Sequence, residues 1–92
     1  MDAQVQDNPD RNRFELRVDG DVAGFAAYRI RDGRTVITHS EVDPAFRGHG
    51  LGAELARQTL DQLRERGARV VPSCPFFASY VAAHPEYADL VD

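Results

Sequence analysis

The sequence predicts an α/β fold: a mixed, mostly antiparallel sheet that carries one β-α-β unit and a short C-terminal helix. Three observations lead there. Between Arg13 and Val42, alternating runs are separated by Asp-Gly turn signals. Ala53 to Arg66 then places its apolar residues at helical spacing. The short run Arg69-Val70-Val71-Pro72 follows, so strand, helix and strand make a crossover unit with a parallel pair.

Residues 1–12 hold Asp, Asn, Gln and Pro9 with almost no apolar anchor, and are expected to form a flexible N-terminal arm before a single domain, 13–92. From Arg13, the apolar Phe14, Leu16 and Val18 alternate with Arg13, Glu15 and Arg17, the period of a strand with one wet face. Asp19-Gly20-Asp21 turns the chain. A second strand, Val22 to Arg31, ends at the hairpin signal Asp32-Gly33, and a third, Arg34 to Val42, is rich in β-branched residues. These three strands read as an antiparallel meander. Asp43-Pro44 ends the third, because proline cannot donate to a ladder. In the helix, Leu51, Leu55, Ala56, Thr59, Leu60 and Leu63 fall on one face, and Gly67 stands at the C-cap. Ala78 to Ala83 is a short last helix, with Pro75 at a first-turn position ahead of it. Tyr87, Leu90 and Val91 are expected to pack back on the sheet.

The chain of 92 residues makes one small core, and 42% hydrophobic with 28% charged residues is an ordinary globular composition. No apolar run approaches the ~20 residues of a membrane span, and the polar start resembles neither a signal nor a transit peptide. No membrane partner and a cytoplasmic setting are expected. The net charge of −4 argues against nonspecific nucleic-acid binding, although a local basic rim around one ligand remains compatible with it. All 11 cations are arginine, which excludes any mechanism that needs a lysine. A single Cys74 forms no intrachain disulfide and suits a reducing compartment. No His or Cys spacing supports a metal site.

Arg47-Gly48-His49-Gly50-Leu51-Gly52 opens the long helix, and this is the stretch that carries chemistry. Glycines allow sharp bends and close approach. The first helical turn offers unpaired N–H groups to an anion. A P-loop requires Gly-Lys-Ser/Thr and is ruled out. The dinucleotide fingerprint is met by letter in Gly48-His49-Gly50-Leu51-Gly52-Ala53. Against it stand the proline-broken loop before it, the lack of an acid about twenty residues on, and the short chain.

Val42-Asp43-Pro44-Ala45-Phe46 and the six residues after it resemble the acyl-CoA-binding segment of the GNAT N-acetyltransferase superfamily, Arg/Gln-x-x-Gly-x-Gly/Ala. Arg47, Gly50 and Gly52 match the pattern, and Val42 and Pro44 match the Val-x-Pro at the end of its preceding strand. The small size and Pro72-Ser73-Cys74-Pro75-Phe76 are similar to the compact, single-domain YjdJ-like branch. The resemblance implies a minimal GNAT-like fold that binds acetyl-CoA and transfers its acetyl group to an amine. The pyrophosphate would sit on backbone N–H groups from Gly48 through His49, Gly50 and Leu51 to Gly52, with Arg47 beside it. Val42 would offer a backbone N–H to the thioester carbonyl.

Amine attack needs a base and an acid. Tyr80 falls near the position of the family's acid; alternatively it packs the last helix. Cys74, at a helix start where a thiol pKa drops, is a candidate nucleophile or a buried small residue. His39 and Glu41 share a face of the third strand if that strand is regular, and either is a candidate base or a residue of the wet face. Relative to a full-length GNAT protein, the two helices between the first and second strands are missing, with Asp19-Gly20-Asp21 in their place. The open acceptor side suits a macromolecular or loosely held amine, or a noncatalytic acyl-CoA-binding module.

Overall fold

The computed structural model describes residues 2–92. Its sheet contains β1 (Ala3–Asn8), β2 (Arg13–Val18), β3 (Asp21–Arg31), β4 (Arg34–Val42) and β5 (Arg69–Pro72), adjacent in chain order. All neighbours are antiparallel except β4 and β5, which are parallel over Arg34–Ile37 and Arg69–Pro72. Helix α1 (Leu51–Glu65) makes the crossover between them, and α2 (Pro75–Ala83) follows β5. The meander, the crossover unit and the short last helix are those the sequence implies. Asp19-Gly20 and Asp32-Gly33 all have positive φ, the backbone of a two-residue turn that matches strand twist.

The expectation of a flexible arm over 1–12 is corrected. Residues 3–8 form the edge strand β1, in register with β2 from Ala3 opposite Val18 to Asn8 opposite Arg13. Composition hid it because its inward residues are a small one, a single Val and an acid. Val5 is buried in the core, and Asp7 accepts bonds from the Tyr28 hydroxyl (2.7 Å) and Arg66 (2.9 Å). The outer edge of β1 is satisfied by α1: Gln58 accepts from the Val5 N–H (2.9 Å) and donates to the Ala3 carbonyl (2.8 Å), while Gln62 donates to the Val5 carbonyl (2.7 Å). With β1 in the sheet, its first connection is a 3-10 turn, Pro9–Arg11, followed by Asn12 at φ 53°, and not Asp19-Gly20-Asp21.

Both helices pack on one face. Phe14, Leu16, Val18, Ala26, Ile37 and Val70 of the sheet meet Leu55, Leu60 and Leu63 of α1 and Phe77 of α2 in one core. Tyr87 and Leu90, in the 3-10 segment Pro85–Leu90, close its end, and Val91 bridges to Val70. The opposite face carries Arg13, Glu15 and Arg17 of β2 and Phe25 and Ala27 of β3, and no helix covers it among the described residues.

One residue decides what β4 shows to each face. Ala27 pairs with His39 but Tyr28 pairs with Ile37, so Thr38 is an extra, bulged residue. In a regular strand His39 and Glu41 would share the core-facing side with Ile37. The bulge inverts the alternation and moves both to the helix-free face, leaving Ser40 and Val42 on the helix side.

Candidate functional site

The loop after β4 is built to bring backbone to an opening. Asp43 accepts from the Ala45 N–H (2.9 Å) and caps a 3-10 turn, Pro44–Phe46, whose Pro44 ends the ladder. Gly48 and Gly50 then take φ of 85° and 68°, and a Cβ on either would meet nothing within 4 Å. Gly50 is the N-cap of α1 and has no side chain to bond the helix start. The first intrahelical bond is Glu54 N–H to the Gly50 carbonyl (3.2 Å), so the N–H groups of Leu51, Gly52 and Ala53 are free of intrahelical partners. With the positive end of the helix dipole behind them, they suit an anion without a lysine. Arg47 and His49 are exposed beside them, and His49 borders a polar hollow with Glu54, Arg57 and Gln58.

Beside the loop, β4 loses its neighbour. Pairing with β5 ends at Ile37 and Pro72, and the Cys74 N–H takes the Ile37 carbonyl (2.9 Å) as the chain turns into α2. Ser40 to Val42 therefore present an open edge. The Asp43 N–H is bonded to Ala23 of β3 (2.7 Å), and backbone groups alternate along a strand, so the Val42 N–H points to the open side. A cavity of about 210 Å³ lies there, lined by Ser40, Glu41, Val42, Gly52, Leu55 and Phe76. A second, of about 290 Å³, lies at the Val42 end of the paired strands β3 and β4 and includes Phe25, Glu41, Val42 and Asp43. Glu41 and Val42 belong to both.

The candidate side chains separate into groups. Glu41 and His39 lie 3.6 Å apart on the helix-free face, their side chains 61% and 60% exposed, with the His39 ring 6.0 Å from Phe25. Cys74 is buried at the N-cap of α2, its Sγ 3.2 Å from the Ser40 Oγ. Burial pushes its thiol pKa up, but the Ser40 hydroxyl and the backbone N–H groups of Phe77 and Phe76 outweigh that, so the net shift is downward. Tyr80 does not line the cavity beside Val42. Its ring stacks on His84 at 3.9 Å and lies 6.1 Å from Tyr87, and burial raises its pKa, opposed by Arg57.

A family model described as GCN5-related N-acetyl-transferase matches residues 13–90. The chain belongs to that family. Streptothricin acetyltransferase of Streptomyces lavendulae is 43% identical over 68 residues, 72% of this chain, which spans 36% of that relative's length. Protein NATD1 of Gallus gallus is 31% identical over 88 residues, 89% of this chain and 76% of that protein. A GCN5-like protein of Staphylococcus aureus, solved by NMR, superposes with a TM-score of 0.72 over 97% of this chain and 87% of its own, at 21% identity, which shows the shared fold.

Within this GNAT fold, the glycine loop, the Val42 edge and Glu41 converge at one end of β4, and Tyr80 stands apart. Three residues of the cavities escaped sequence reasoning. Gly24 lies in β3 where a Cβ would stand 2.7 Å from the Glu41 carbonyl oxygen, so its bare backbone lets the strands close. A glycine inside an alternating run was the available signal. Ser40 reaches Cys74, and Phe76 lies over Gly52, where a Cβ would meet its ring at 3.2 Å. Ser40 has no local sequence signal, and Phe76 stands in the Pro72–Phe76 stretch with no role legible there, because the place of each depends on α2 docking beside α1.

Proposed function

We propose that the chain is an acetyl-CoA-dependent N-acetyltransferase acting on an amine. The observation that carries this reading is the convergence, at one end of β4, of an open strand edge, an uncapped helix start and an exposed carboxylate. Acetyl-CoA would supply an acetyl group activated as a thioester. The residues present fit it: free N–H donors from Leu51 to Ala53 and the open space above Gly48 and Gly50 suit its pyrophosphate, with Arg47 and His49 at the rim. The Ser40–Val42 edge and the apolar walls of Leu55 and Phe76 suit an extended amide-bearing arm. The Val42 N–H can donate to a carbonyl oxygen that gains charge. Glu41, whose carboxylate is exposed on the helix-free face beside the Val42 edge, can take the proton of an amine that enters from that face, with His39 beside it. Transfer would be direct: the amine nitrogen bonds to the acetyl carbon as the thioester C–S bond breaks, and the released thiolate takes a proton from solvent. Cys74, buried behind Ser40 and lining neither cavity, is left out of the reaction. Its single thiol suits a cytoplasmic, reducing setting.

Titration of acetyl-CoA by calorimetry, followed by mass spectrometry of added amines, tests the reading. Saturable binding and acetylated amine are expected. No binding at millimolar ligand would overturn it. The position of Tyr80 outside the cavity favours a second reading, a noncatalytic acyl-CoA-binding module, since no phenol stands ready as an acid there. Binding without transfer to any amine, and without label on Cys74, would decide for the module.

A further inference from the structure

The helix-free face of the sheet is paved with arginine. Arg13 and Arg17 on β2, Arg29 and Arg31 on β3, Arg34 on β4 and Arg69 on β5 share it by register. More than half of the 11 cations in a chain of net charge −4 are thus gathered on the one sheet face that has no helix over it among the described residues. Arg13 and Arg17 grip the buried Glu15 at 2.8 and 3.0 Å. At the far end, Arg31 pairs with Arg34 and Arg34 with Arg69, so three arginines occupy neighbouring register positions, with Asp32 in the turn between the first two. Like charges directly opposite destabilise a sheet unless an anion lies between them. One does: the Asp92 carboxylate is bonded by both Arg34 and Arg69. Arg29 and Arg31 have no ion pair among the described residues and are exposed.

The near end of the same face has the opposite character. Glu41 is exposed there, and Asp43 borders the same hollow. A polyanion laid along the whole face would be repelled at this end. One face of the Phe25 ring is covered by the Arg13 guanidinium at 4.8 Å. A chain with carboxylates at one end and an amine at the other complements both.

We propose that this face docks an extended acidic polypeptide segment that also bears the acceptor amine, its carboxylates on Arg29, Arg31 and their neighbours and its amino group at Glu41. The amine end rests on the acetyltransferase reading; the docking does not. From Glu41 back to Arg34 is a run along β4 of roughly 20 Å at ~3.3 Å per residue, which sets acids about six residues from the amine.

The test is fluorescence anisotropy of the full chain with a labelled peptide that carries one lysine about six residues from a short acidic run. Binding is expected at low salt, lost at ~0.5 M salt, and weakened about tenfold or more by Arg29→Glu with Arg31→Glu. Circular dichroism checks that this variant keeps its fold. A peptide with glutamine for its acids is expected not to bind. Unchanged affinity in the double variant, no binding of the acidic peptide, or tighter binding of single-stranded RNA would overturn the proposal. Failure of the acetyltransferase reading would appear elsewhere, as absent acetyl-CoA binding, and would leave the anisotropy unchanged. If transfer occurs, the double variant raises KM for the acidic peptide and leaves KM for a small amine where it was.

Discussion

The loop glycines do different work, and substitution can separate backbone conformation from ligand space. Gly50 has φ 68° and ψ 21°, and a Cβ there would meet nothing within 4 Å, so alanine is strained by its backbone and not by a clash. Left-handed backbone costs an L-residue about 1–2 kcal/mol. For a domain of this size, each kcal/mol moves Tm by roughly 4–8 °C, so Gly50→Ala is expected to lower Tm by roughly 4–16 °C. Gly52 is helical, and its Cβ would meet the Phe76 Cζ at 3.2 Å, the tip of a ring that is 42% exposed and free to give way. A modest helix-propensity gain offsets that contact, and Gly52→Ala is expected within about 0.5 kcal/mol of wild type. Gly52 nonetheless lines the cavity beside Val42. Gly52→Val fills that space and is expected to weaken acetyl-CoA about tenfold or more, a change of ~1.4 kcal/mol. Thermal melts and calorimetric titration of the three variants read both quantities. A folded Gly52→Val protein with wild-type affinity would refute the assignment of this cavity. An unchanged Tm in Gly50→Ala would refute the backbone argument.

Glu15→Gln leaves Arg13 and Arg17 without their buried carboxylate and is expected to cost about 1–3 kcal/mol. Burial raises the Glu15 pKa, but bonds from Arg13, Asn8 and Arg17 outweigh it and the net value is lowered. The Glu15 contribution is therefore complete above an ordinary glutamate pKa of ~4.3 and fades as pH falls through the lower folded value; a Tm gap between wild type and variant that stays constant on acidification would contradict this. Gln58→Ala removes the partner of the Val5 N–H and is expected to cost about 1 kcal/mol and to speed exchange of the Val5 amide, with β2 amides unchanged; equal protection in both proteins would count against the clamp. Ser40→Ala is expected to move the Cys74 thiol titration, read by thiolate absorbance, to higher pH. An unmoved midpoint would show that Ser40 does not stabilise the thiolate.

Much of the fold was legible because its signals are local. Asp19-Gly20 and Asp32-Gly33 adopt the left-handed turns that such pairs favour, and the apolar stripe from Leu51 to Leu63 is the buried face of α1. Pro44 and Gly67 mark real boundaries, the end of the ladder and the residue just past the helix C-cap. β1 was not legible, since its inward residues Ala3, Val5 and Asp7 make no apolar pattern. Its place depends on Gln58 and Gln62, more than fifty residues away along the chain.

The amino-acid sequence by itself determined the β-α-β unit and the glycine loop, because turn chemistry, helical period and backbone freedom are properties of neighbouring residues. The family followed from the same loop. Only the tertiary structure decided which way the candidate base faces. The single extra residue Thr38 inverts the alternation of β4, and whether a strand bulges is settled by its pairing with β3 and not by its own residues. That inversion carries Glu41 and His39 to the face lined by the arginines, and leaves Ser40 and Val42 toward α1 and α2.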